Sequence, residues 1–294
     1  MKLLLVDTSA LFFRSRSALW RAMGEMVTSY GAPVTGTYGF CNALFAVMAQ
    51  YEYDCVVPCT DRGGNFRKKE SGTYKANREK ASVEHYSDLS LLVEDVLPAL
   101  GFSPVGAQGF EADDVVAHIS RNSPGYSEVH ILTCDKDLLQ LVNDRVKVLL
   151  FNSAKKMELV DIEGVKGHFG VPPSDVKFFK ALSGDSSDNI SGVSGVGPKT
   201  AVKIIQECHT SGTNSELSLA DRIAFHPKVI PTASTFFGNL RLVTLEDDVP
   251  DLSWYASSPP SEQSVEALFE GLEFKSYLKP ARLSKILKTL KVVS

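Results

Sequence analysis

A chain of 294 residues, 44% of them apolar, can bury a sizeable core, as one large α/β domain or as a main domain with a smaller lobe. Because no stretch approaches ~18 consecutive apolar residues and no signal-peptide pattern follows Met1, we expect a cytoplasmic protein without a membrane span. Five scattered cysteines without a C-x-x-C pair argue against disulfides and zinc, and a formal net charge of −4 disfavours nucleic-acid binding unless acids and bases are segregated.

Three apolar runs of strand length each end in an aspartate. They are residues 3–7, 55–61 and 129–135, and segments of helical length separate them. This alternation predicts a parallel sheet, in which ligands bind beyond the carboxyl ends of the strands. One such aspartate could simply cap the following helix. Three of them, Asp7, Asp61 and Asp135, favour a shared site.

A polar, basic stretch follows the second of these strands. Residues 62–80 contain seven Lys and Arg residues against two Glu residues. A run of charge is usually only a solvated surface. The stretch is nevertheless longer than an ordinary connection, and loops of this length are usually functional or disordered.

Further acids occur in three short clusters. In each cluster the spacing brings the carboxylates to one side. The first cluster opens a helix, the second crosses the turn after a strand, and the third shares one face of a helical turn. The clusters are Glu111-Ala-Asp113-Asp114, Asp135-Lys-Asp137 and Asp185-Ser-Ser-Asp188. Capping and the helix dipole would explain one or two acids in the first cluster, but three exceed that need.

Together with Asp7 and Asp61, these clusters supply nine carboxylates. Ionised carboxylates at short range raise one another's pKa values strongly, so cations are the natural counter-charge. A set of oxygen ligands with no His or Cys nearby in a coordinating pattern predicts Mg²⁺, for which Mn²⁺ can substitute. Two such ions about 4 Å apart can activate water and stabilise the leaving oxygen of a phosphodiester. The acids therefore predict a nuclease.

A glycine-rich segment, residues 192–200, follows Asp188 and precedes an apolar-periodic helix. Its sequence is typical of a helix-hairpin-helix, in which glycines let the backbone approach a phosphate and amides at the next helix N-terminus bind its oxygens. Alone, such a segment is more often just a turn. Its position beside the acids favours DNA binding through Gly195, Gly197, Lys199 and Thr200.

Five groups of motifs occur in a fixed order along the chain. They are LLLVDTSALFFR, TDRGG with TYKANR, FEADDVVA, ILTCDKDLLQLV and SGDSSDNISGVSGVGPKTA. This set resembles the 5′ nuclease family, which includes flap endonucleases and the N-terminal 5′ nuclease domain of bacterial DNA polymerase I. The resemblance covers about residues 3–278 and suggests a freestanding member from a bacterium or phage. It implies a PIN-like twisted central sheet flanked by helices, with a helical arch and a helix-hairpin-helix lobe.

The resemblance also implies how the acids are divided between two metal sites. For the tighter site it implies Asp7, Asp61, Glu111 and Asp113. For a weaker second site or its surroundings it implies Asp114, Asp135, Asp137, Asp185 and Asp188.

Other roles implied by the resemblance concern the DNA. Lys75 and Arg78 match arch residues that contact the scissile phosphate, and Arg14 matches a basic residue near the cut strand. Residues 62–80 then become an arch threaded by a single strand, with DNA contacts expected from Arg62, Arg67, Lys68 and Tyr74. Phe66 and Tyr74 are candidates for stacking on bases, with core packing as the alternative. A K⁺ ion at the hairpin would be held by the carbonyls of Val193 and Val196.

The function implied is a structure-specific 5′ flap endonuclease and 5′ to 3′ exonuclease. Its substrates would be branched or 5′-ended double-stranded DNA with a single-stranded 5′ flap, and RNA primers. We expect a monomer that works beside a replication polymerase. The alternatives are a PIN-like RNase, which the hairpin and the second acid group disfavour, and a catalytically dead DNA-junction scaffold, which would lack carboxylates that this sequence retains.

We expect three regions. Residues 1–170 form the nuclease core with the arch at about 62–98, residues 171–280 the DNA-binding lobe, and residues 281–294 a basic amphipathic tail. In the tail, Arg282, Lys285, Lys288 and Lys291 alternate with apolar residues. Such a tail can pack on the body of the protein, contact DNA or bind a partner, and the sequence leaves these alternatives open.

Overall fold

The structure is a computed structural model that describes residues 1–77, 82–151, 157–210, 217–257 and 259–291. Within these ranges, seven strands form one sheet in the order β6-β5-β4-β1-β2-β3-β9, and β7 and β8 form a small antiparallel pair. The strands are β1 Lys2–Asp7, β2 Cys55–Cys59, β3 Val105–Gly106, β4 Glu128–Thr133, β5 Val146–Phe151, β6 Met157–Val160, β7 Gly184–Asp185, β8 Ile190–Ser191 and β9 Ser253–Trp254.

The middle of the large sheet is parallel and both edges are antiparallel. Strand β1 lies between β4 and β2, and Leu3 is paired with Val129 on one side and Cys55 on the other. Strands β6 and β9 close the two edges in antiparallel orientation. The three predicted strands that end in aspartate are therefore adjacent and parallel, so their carboxyl ends lie side by side at the same end of the sheet.

Helices cover both faces of this sheet. The helices are α1 Thr8–Met23, α2 Thr35–Gln50, α3 Phe66–Glu70, α4 Val83–Ser90, α5 Leu97–Ala99, α6 Ala112–Arg121, α7 Ile162–Phe169, α8 Val176–Ser183, α9 Pro198–Thr210, α10 Leu219–Ala224, α11 Ala233–Val243, α12 Glu262–Gly271 and α13 Pro280–Lys291. A π-helical turn, Leu91–Val96, joins α4 to α5. None of the described helices is both long and apolar enough to span a lipid bilayer.

Alternate residues of β1 serve two separate hydrophobic clusters. Leu3 and Leu5 belong to the cluster that contains residues of α6, α8, α9 and α11. Leu4 and Val6 belong to the opposite cluster, with residues of α1, α2, α12 and α13. This is the pattern of a strand that is buried on both faces, as expected for the parallel part of an α/β sheet. The predicted fold class is confirmed.

The basic tail packs on the body through its apolar face. Leu283, Ile286, Leu287 and Leu290 of α13 are buried in the second cluster, on the side of α2. Lys285 and Lys288 point away from it and are exposed. The side chain of Lys291 lies outside the described residues.

Helix α4, which lies within the predicted arch, is anchored to the body by a buried aspartate. Asp88 of α4 accepts hydrogen bonds from the backbone amides of Gly36, at 2.6 Å, and Thr37, at 3.0 Å, at the start of α2. A side chain at Gly36 would clash with Phe12, because an added Cβ would lie 2.2 Å from its ring. Residues 78–81 lie outside the described residues, so the predicted arch stays a prediction there.

Candidate active site

The carboxyl ends of β1 and β2 bring Asp7 and Asp61 to the start of α6. Asp7 accepts hydrogen bonds from the amide of Ala10, at 3.2 Å, and from the hydroxyl of Thr133, at 2.7 Å. Asp61 accepts from the amide of Ala112 at 2.9 Å. Asp7 is therefore both the N-cap of α1 and a member of the site, so the two sequence interpretations are compatible.

Two carboxyl groups at this position are hard to ionise. The pKa of Asp7 is raised to about 7, chiefly by burial and also by the charges of Asp135 and Asp61, against the hydrogen bonds from Thr133 and Ala10. Burial, followed by the charges of Asp7 and Asp135, also raises the pKa of Asp113 well above its usual range. Carboxyl groups in such surroundings bind protons or a cation, so this end of the sheet fits a divalent metal ion.

A second group of acids comes from the turn after β4 and from the β7-β8 hairpin. Asp137, Asp185 and Asp188 each offer a carboxylate oxygen, and these oxygens lie within 4.8 Å of one another. A cleft of about 490 Å³ opens beside them, lined in part by Asp135, Asp137 and Asp185. Three oxygen ligands at this spacing fit a hard divalent cation.

The β7-β8 hairpin depends on two glycines that bring its backbones close together. A Cβ added at Gly184 would lie 2.5 Å from the backbone nitrogen of Gly192, and Gly184 has a positive φ of 80°. Any other residue at position 184 would therefore displace the hairpin. Because Asp185 follows directly, these glycines help to place its carboxylate.

A buried lysine that sequence reasoning missed lies in this second group. The ammonium of Lys180, on α8, is 2.7 Å from Asp185 Oδ2 and also pairs with Asp137. Although burial alone would raise it, the charge and hydrogen bond of Lys180 lower the pKa of Asp185. The helical period could have indicated that Lys180 is buried, because Lys180 lies four residues after the apolar Val176 and so shares the buried face of α8.

Lys75 and Tyr74 connect the two groups of acids. The Lys75 ammonium pairs with Glu111 and lies 3.9 Å from Asp188 Oδ2, and its backbone amide donates to the Asp188 carbonyl at 2.9 Å. The Tyr74 hydroxyl lies 3.0 Å from Glu111 Oε2 and 3.1 Å from Asp188 Oδ2. Burial would raise the pKa of Glu111, but the charges and hydrogen bonds of Lys75, Arg67 and Tyr74 outweigh it and lower that pKa.

The structure corrects the roles predicted for three of these side chains. Arg67 is 1% exposed and forms a two-point ion pair with Asp114, so it does not offer its guanidinium to DNA. Asp114 is fully buried, and its two carboxylate oxygens accept hydrogen bonds from Arg67 and from backbone amides. It is therefore not positioned to bind a metal ion. Tyr74 is 4% exposed and directs its hydroxyl at carboxylates, which does not suit stacking on a base.

The other basic and aromatic candidates lie around this centre. The guanidinium of Arg14 stacks over Phe151 at 4.1 Å, and that of Arg62 over Tyr255 at 4.1 Å. Lys68 is exposed, whereas Phe66 is partly buried and packs 5.9 Å from Phe110. Their DNA contacts remain predictions, and Arg78 lies outside the described residues.

The glycine-rich segment forms an exposed turn before α9. Gly195 has a positive φ of 75°, and Gly195, Gly197 and Lys199 are exposed while Thr200 is partly buried. Val193 and Val196 are buried, and the Val193 carbonyl accepts the amide of Val196 at 3.0 Å. The turn therefore presents backbone and a cation at a helix N-terminus, while the K⁺ site stays a prediction.

Two family models cover most of the chain. The model for the 5′-3′ exonuclease N-terminal resolvase-like domain matches residues 2–170, and that for the 5′-3′ exonuclease C-terminal SAM fold matches residues 171–261. Among curated proteins, DNA polymerase I of Treponema pallidum is 34% identical over 84% of this chain and 25% of its own length. Thermostable DNA polymerase I of Thermus caldophilus is 33% identical over 94% of this chain and 33% of its own length.

Solved structures of similar fold include phage and human proteins. The T5 D15 protein co-crystallised with metal ions has a TM-score of 0.64 and 20% identity, with all of both chains covered. Human GEN1 in complex with Holliday junction DNA has a TM-score of 0.59 and 16% identity over 98% of this chain and 72% of its own. These likenesses support the fold, and this chain spans about a quarter to a third of the length of the curated polymerases. The resemblance seen in the sequence is confirmed: the chain belongs to the 5′-3′ exonuclease family.

Proposed function

We propose that this chain is a structure-specific 5′ flap endonuclease and 5′ to 3′ exonuclease that hydrolyses DNA, and RNA primers, to leave a 5′-phosphate and a 3′-hydroxyl. The observation that carries the proposal is that Lys75 and Tyr74 join two carboxylate groups, one of which is carried in part by the β7-β8 hairpin that leads into the glycine-rich turn. A duplex whose backbone is held by that turn would present a different phosphodiester to acids suited to two metal ions. Human GEN1 and the T5 D15 flap endonuclease have both been crystallised with DNA, which agrees with a DNA substrate.

In this proposal the acids are divided between two Mg²⁺ ions, for which Mn²⁺ can substitute. Asp7, Asp61, Glu111 and Asp113 would hold one ion, and Asp135, Asp137, Asp185 and Asp188 the other. Such ions lower the pKa of bound water and stabilise charge on the leaving oxygen.

The protein's own cations complete the site. Lys75 and Arg78 contact the scissile phosphate and stabilise its charge, and Arg14 lies near the cut strand. The exposed amides around Gly195 and Gly197, with Lys199 and Thr200, bind the backbone of the uncut duplex. Arg62 and Lys68 contact the single strand, and a K⁺ ion bound by Val193 and Val196 strengthens the hairpin contact.

The metal requirement supplies the first test of this function. Mg²⁺ should support cleavage of a 5′-flap duplex, excess EDTA should abolish it, and Ca²⁺ should support binding without cleavage. Ca²⁺ is larger and more flexibly coordinated, so it suits the octahedral geometry of a Mg²⁺ site poorly. Cleavage is measured by gel separation of end-labelled products and binding by fluorescence anisotropy. Efficient turnover in EDTA or in Ca²⁺ alone would contradict the mechanism, and preference for single-stranded RNA would favour the RNase alternative.

The lysine in the second acid group supplies another prediction. Lys180→Met keeps the apolar stem but removes the ammonium that pairs with Asp137 and Asp185. Since that ammonium competes with a metal ion for the same oxygens, the variant should bind Mg²⁺ about tenfold more tightly without DNA. The measurement is isothermal titration calorimetry.

Lys177→Met on the same helix is the matched control. Its ammonium lies 5.3 Å over the ring of Phe178, so metal affinity should not change. Weaker Mg²⁺ binding by Lys180→Met would show that the lysine supports the metal site, and equal binding would show that it does not compete with the metal ion.

A further inference from the structure

The buried guanidinium of Arg67 donates five hydrogen bonds to side-chain and backbone oxygens near the proposed metal site. Its Nη1 and Nη2 atoms each donate to one oxygen of Asp114, both at 2.7 Å. The pair is almost completely removed from solvent, since Arg67 is 1% and Asp114 0% exposed. A two-point pair of this kind fixes the orientation of both side chains as well as their distance.

This pair ties the acid-bearing helix to the C-terminal lobe. Arg67 Nε donates to the carbonyl of Leu242 at 2.9 Å, and Nη2 donates to the carbonyl of Thr244 at 2.8 Å. The amide of Glu246 donates to Asp114 Oδ1 at 2.9 Å. These backbone groups lie at and just after the end of α11. Helix α11 packs on α8, which leads directly into the β7-β8 hairpin.

The other side of the pair reaches a proposed metal ligand. Arg67 Nη1 lies 3.3 Å from Glu111 Oε2, and the amide of Glu111 donates to Asp114 Oδ2 at 3.2 Å. The pair therefore fixes the backbone position of Glu111 and helps to orient its side chain. The same two side chains thus contact the metal site and the lobe that carries the glycine-rich turn.

We propose that Arg67, acting with Asp114, is a positioning residue that sets which phosphodiester is cut. This inference rests on the proposed function, in which the lobe grips duplex DNA and the acids cut it. Successive nucleotides of one strand are only about 3.4 Å apart along the helix axis. A lobe that shifts by about one such step relative to the acids therefore presents a neighbouring phosphodiester. The buried pair holds that distance fixed.

The test compares cleavage position with cleavage rate. Arg67→Met removes the guanidinium, and the double variant Arg67→Gln/Asp114→Asn removes both charges while it keeps polar groups, so that no carboxylate is left buried without a partner. An end-labelled 5′-flap duplex is cut at saturating enzyme in Mg²⁺, and products are resolved to one nucleotide. Binding is measured in Ca²⁺, and Mg²⁺ affinity without DNA is measured by calorimetry.

The matched control is Arg241→Met. Arg241 also bridges the arch segment and the end of the lobe, with contacts to Glu70 at 3.2 Å and Glu246 at 2.6 Å, but its side chain is 55% exposed. Exposed ion pairs of this kind contribute little to a fixed geometry. This variant should therefore cut at the wild-type position.

We expect the Arg67 variants to cut about 10- to 100-fold more slowly and to spread their products over neighbouring phosphodiesters, because a small misplacement of reacting groups has an effect of that size. DNA affinity in Ca²⁺ and Mg²⁺ affinity should stay near wild type, the latter because Asp114 is not a ligand. Arg67→Lys keeps the charge but offers a single point of contact, so it should show the same spread of products more weakly. This variant keeps the test possible if the neutral variants do not fold.

An unchanged single cleavage position in folded Arg67 variants would overturn the inference, whatever happens to the rate. A large loss of Mg²⁺ affinity in Arg67→Gln/Asp114→Asn would also overturn it, because Asp114 would then act as a ligand. If the wild-type protein cuts no 5′-ended DNA in Mg²⁺, the proposed function fails as well. Cleavage by the wild-type protein therefore distinguishes a failure of the proposed function from a failure of the inference about Arg67.

Discussion

Asp185→Asn is expected to abolish cleavage of a 5′-flap duplex in Mg²⁺ while leaving DNA affinity in Ca²⁺ almost intact. The substitution keeps the size of the side chain and an oxygen to accept the hydrogen bond from the Ser187 amide, at 2.9 Å. It removes one negative charge from the group formed with Asp137 and Asp188. Loss of a group that stabilises developing charge typically costs about 10²- to 10³-fold in rate. Asp135→Asn should behave in the same way.

The measurement is a single-turnover time course at saturating enzyme, with Asp161→Asn as the control. Asp161 caps α7 through the amide of Gly164, at 2.9 Å, and asparagine caps a helix about as well as aspartate. The control should therefore cut normally. If Asp185→Asn retains more than about a tenth of the wild-type rate, the assignment of Asp185 to a catalytic metal site is wrong.

Lys75→Ala is expected to slow cleavage by about 10²- to 10³-fold at saturating enzyme, with little change in the dissociation constant for DNA. The Lys75 ammonium lies between Glu111 and Asp188, inside the acid site, and its side chain is only 10% exposed. A cation in this place acts on the phosphate that reacts and contributes little to the grip on the remaining duplex.

Lys199→Ala should show the opposite behaviour. Lys199 is exposed in the first turn of α9, where the proposed contact is with duplex backbone. Its loss should weaken binding and lower the slope of log affinity against log salt by about one unit. Both variants are compared by cleavage at saturating enzyme and by salt-titrated binding in Ca²⁺. Normal cleavage by saturated Lys75→Ala would refute this division of labour.

The sheet and the first acids could be predicted because their signals are local. Apolar runs of strand length end at Asp7, Asp61 and Asp135, and parallel topology brings such ends together. The motifs then supplied the family and the predicted neighbourhood of Asp185 and Asp188. Predictions of this kind depend on periodicity and order along the chain, and both are visible in one sequence.

The roles of Arg67, Tyr74 and Lys180 could not be predicted in the same way. Arg67 and Tyr74 lie in a basic polar stretch that looks solvated, and their burial depends on contacts with residues such as Thr244 and Asp188, which are far away in sequence. Lys180 looks like an ordinary surface lysine until Asp137 and Asp185 surround it. Tertiary packing decides whether a charged side chain faces water or a buried carboxylate.

After α11 the chain returns to the sheet, and this return bears on how the protein folds during synthesis. Val265, Phe269, Tyr277 and Leu283 complete the hydrophobic cluster that covers Leu4 and Val6 of the first strand. A nascent chain that has emerged only as far as α11 thus carries a central strand with one face incompletely covered. Contacts between segments that are far apart in sequence form late, and exposed apolar surface invites aggregation until they do. Folding of the nuclease core should therefore finish only after α13 has emerged from the ribosome.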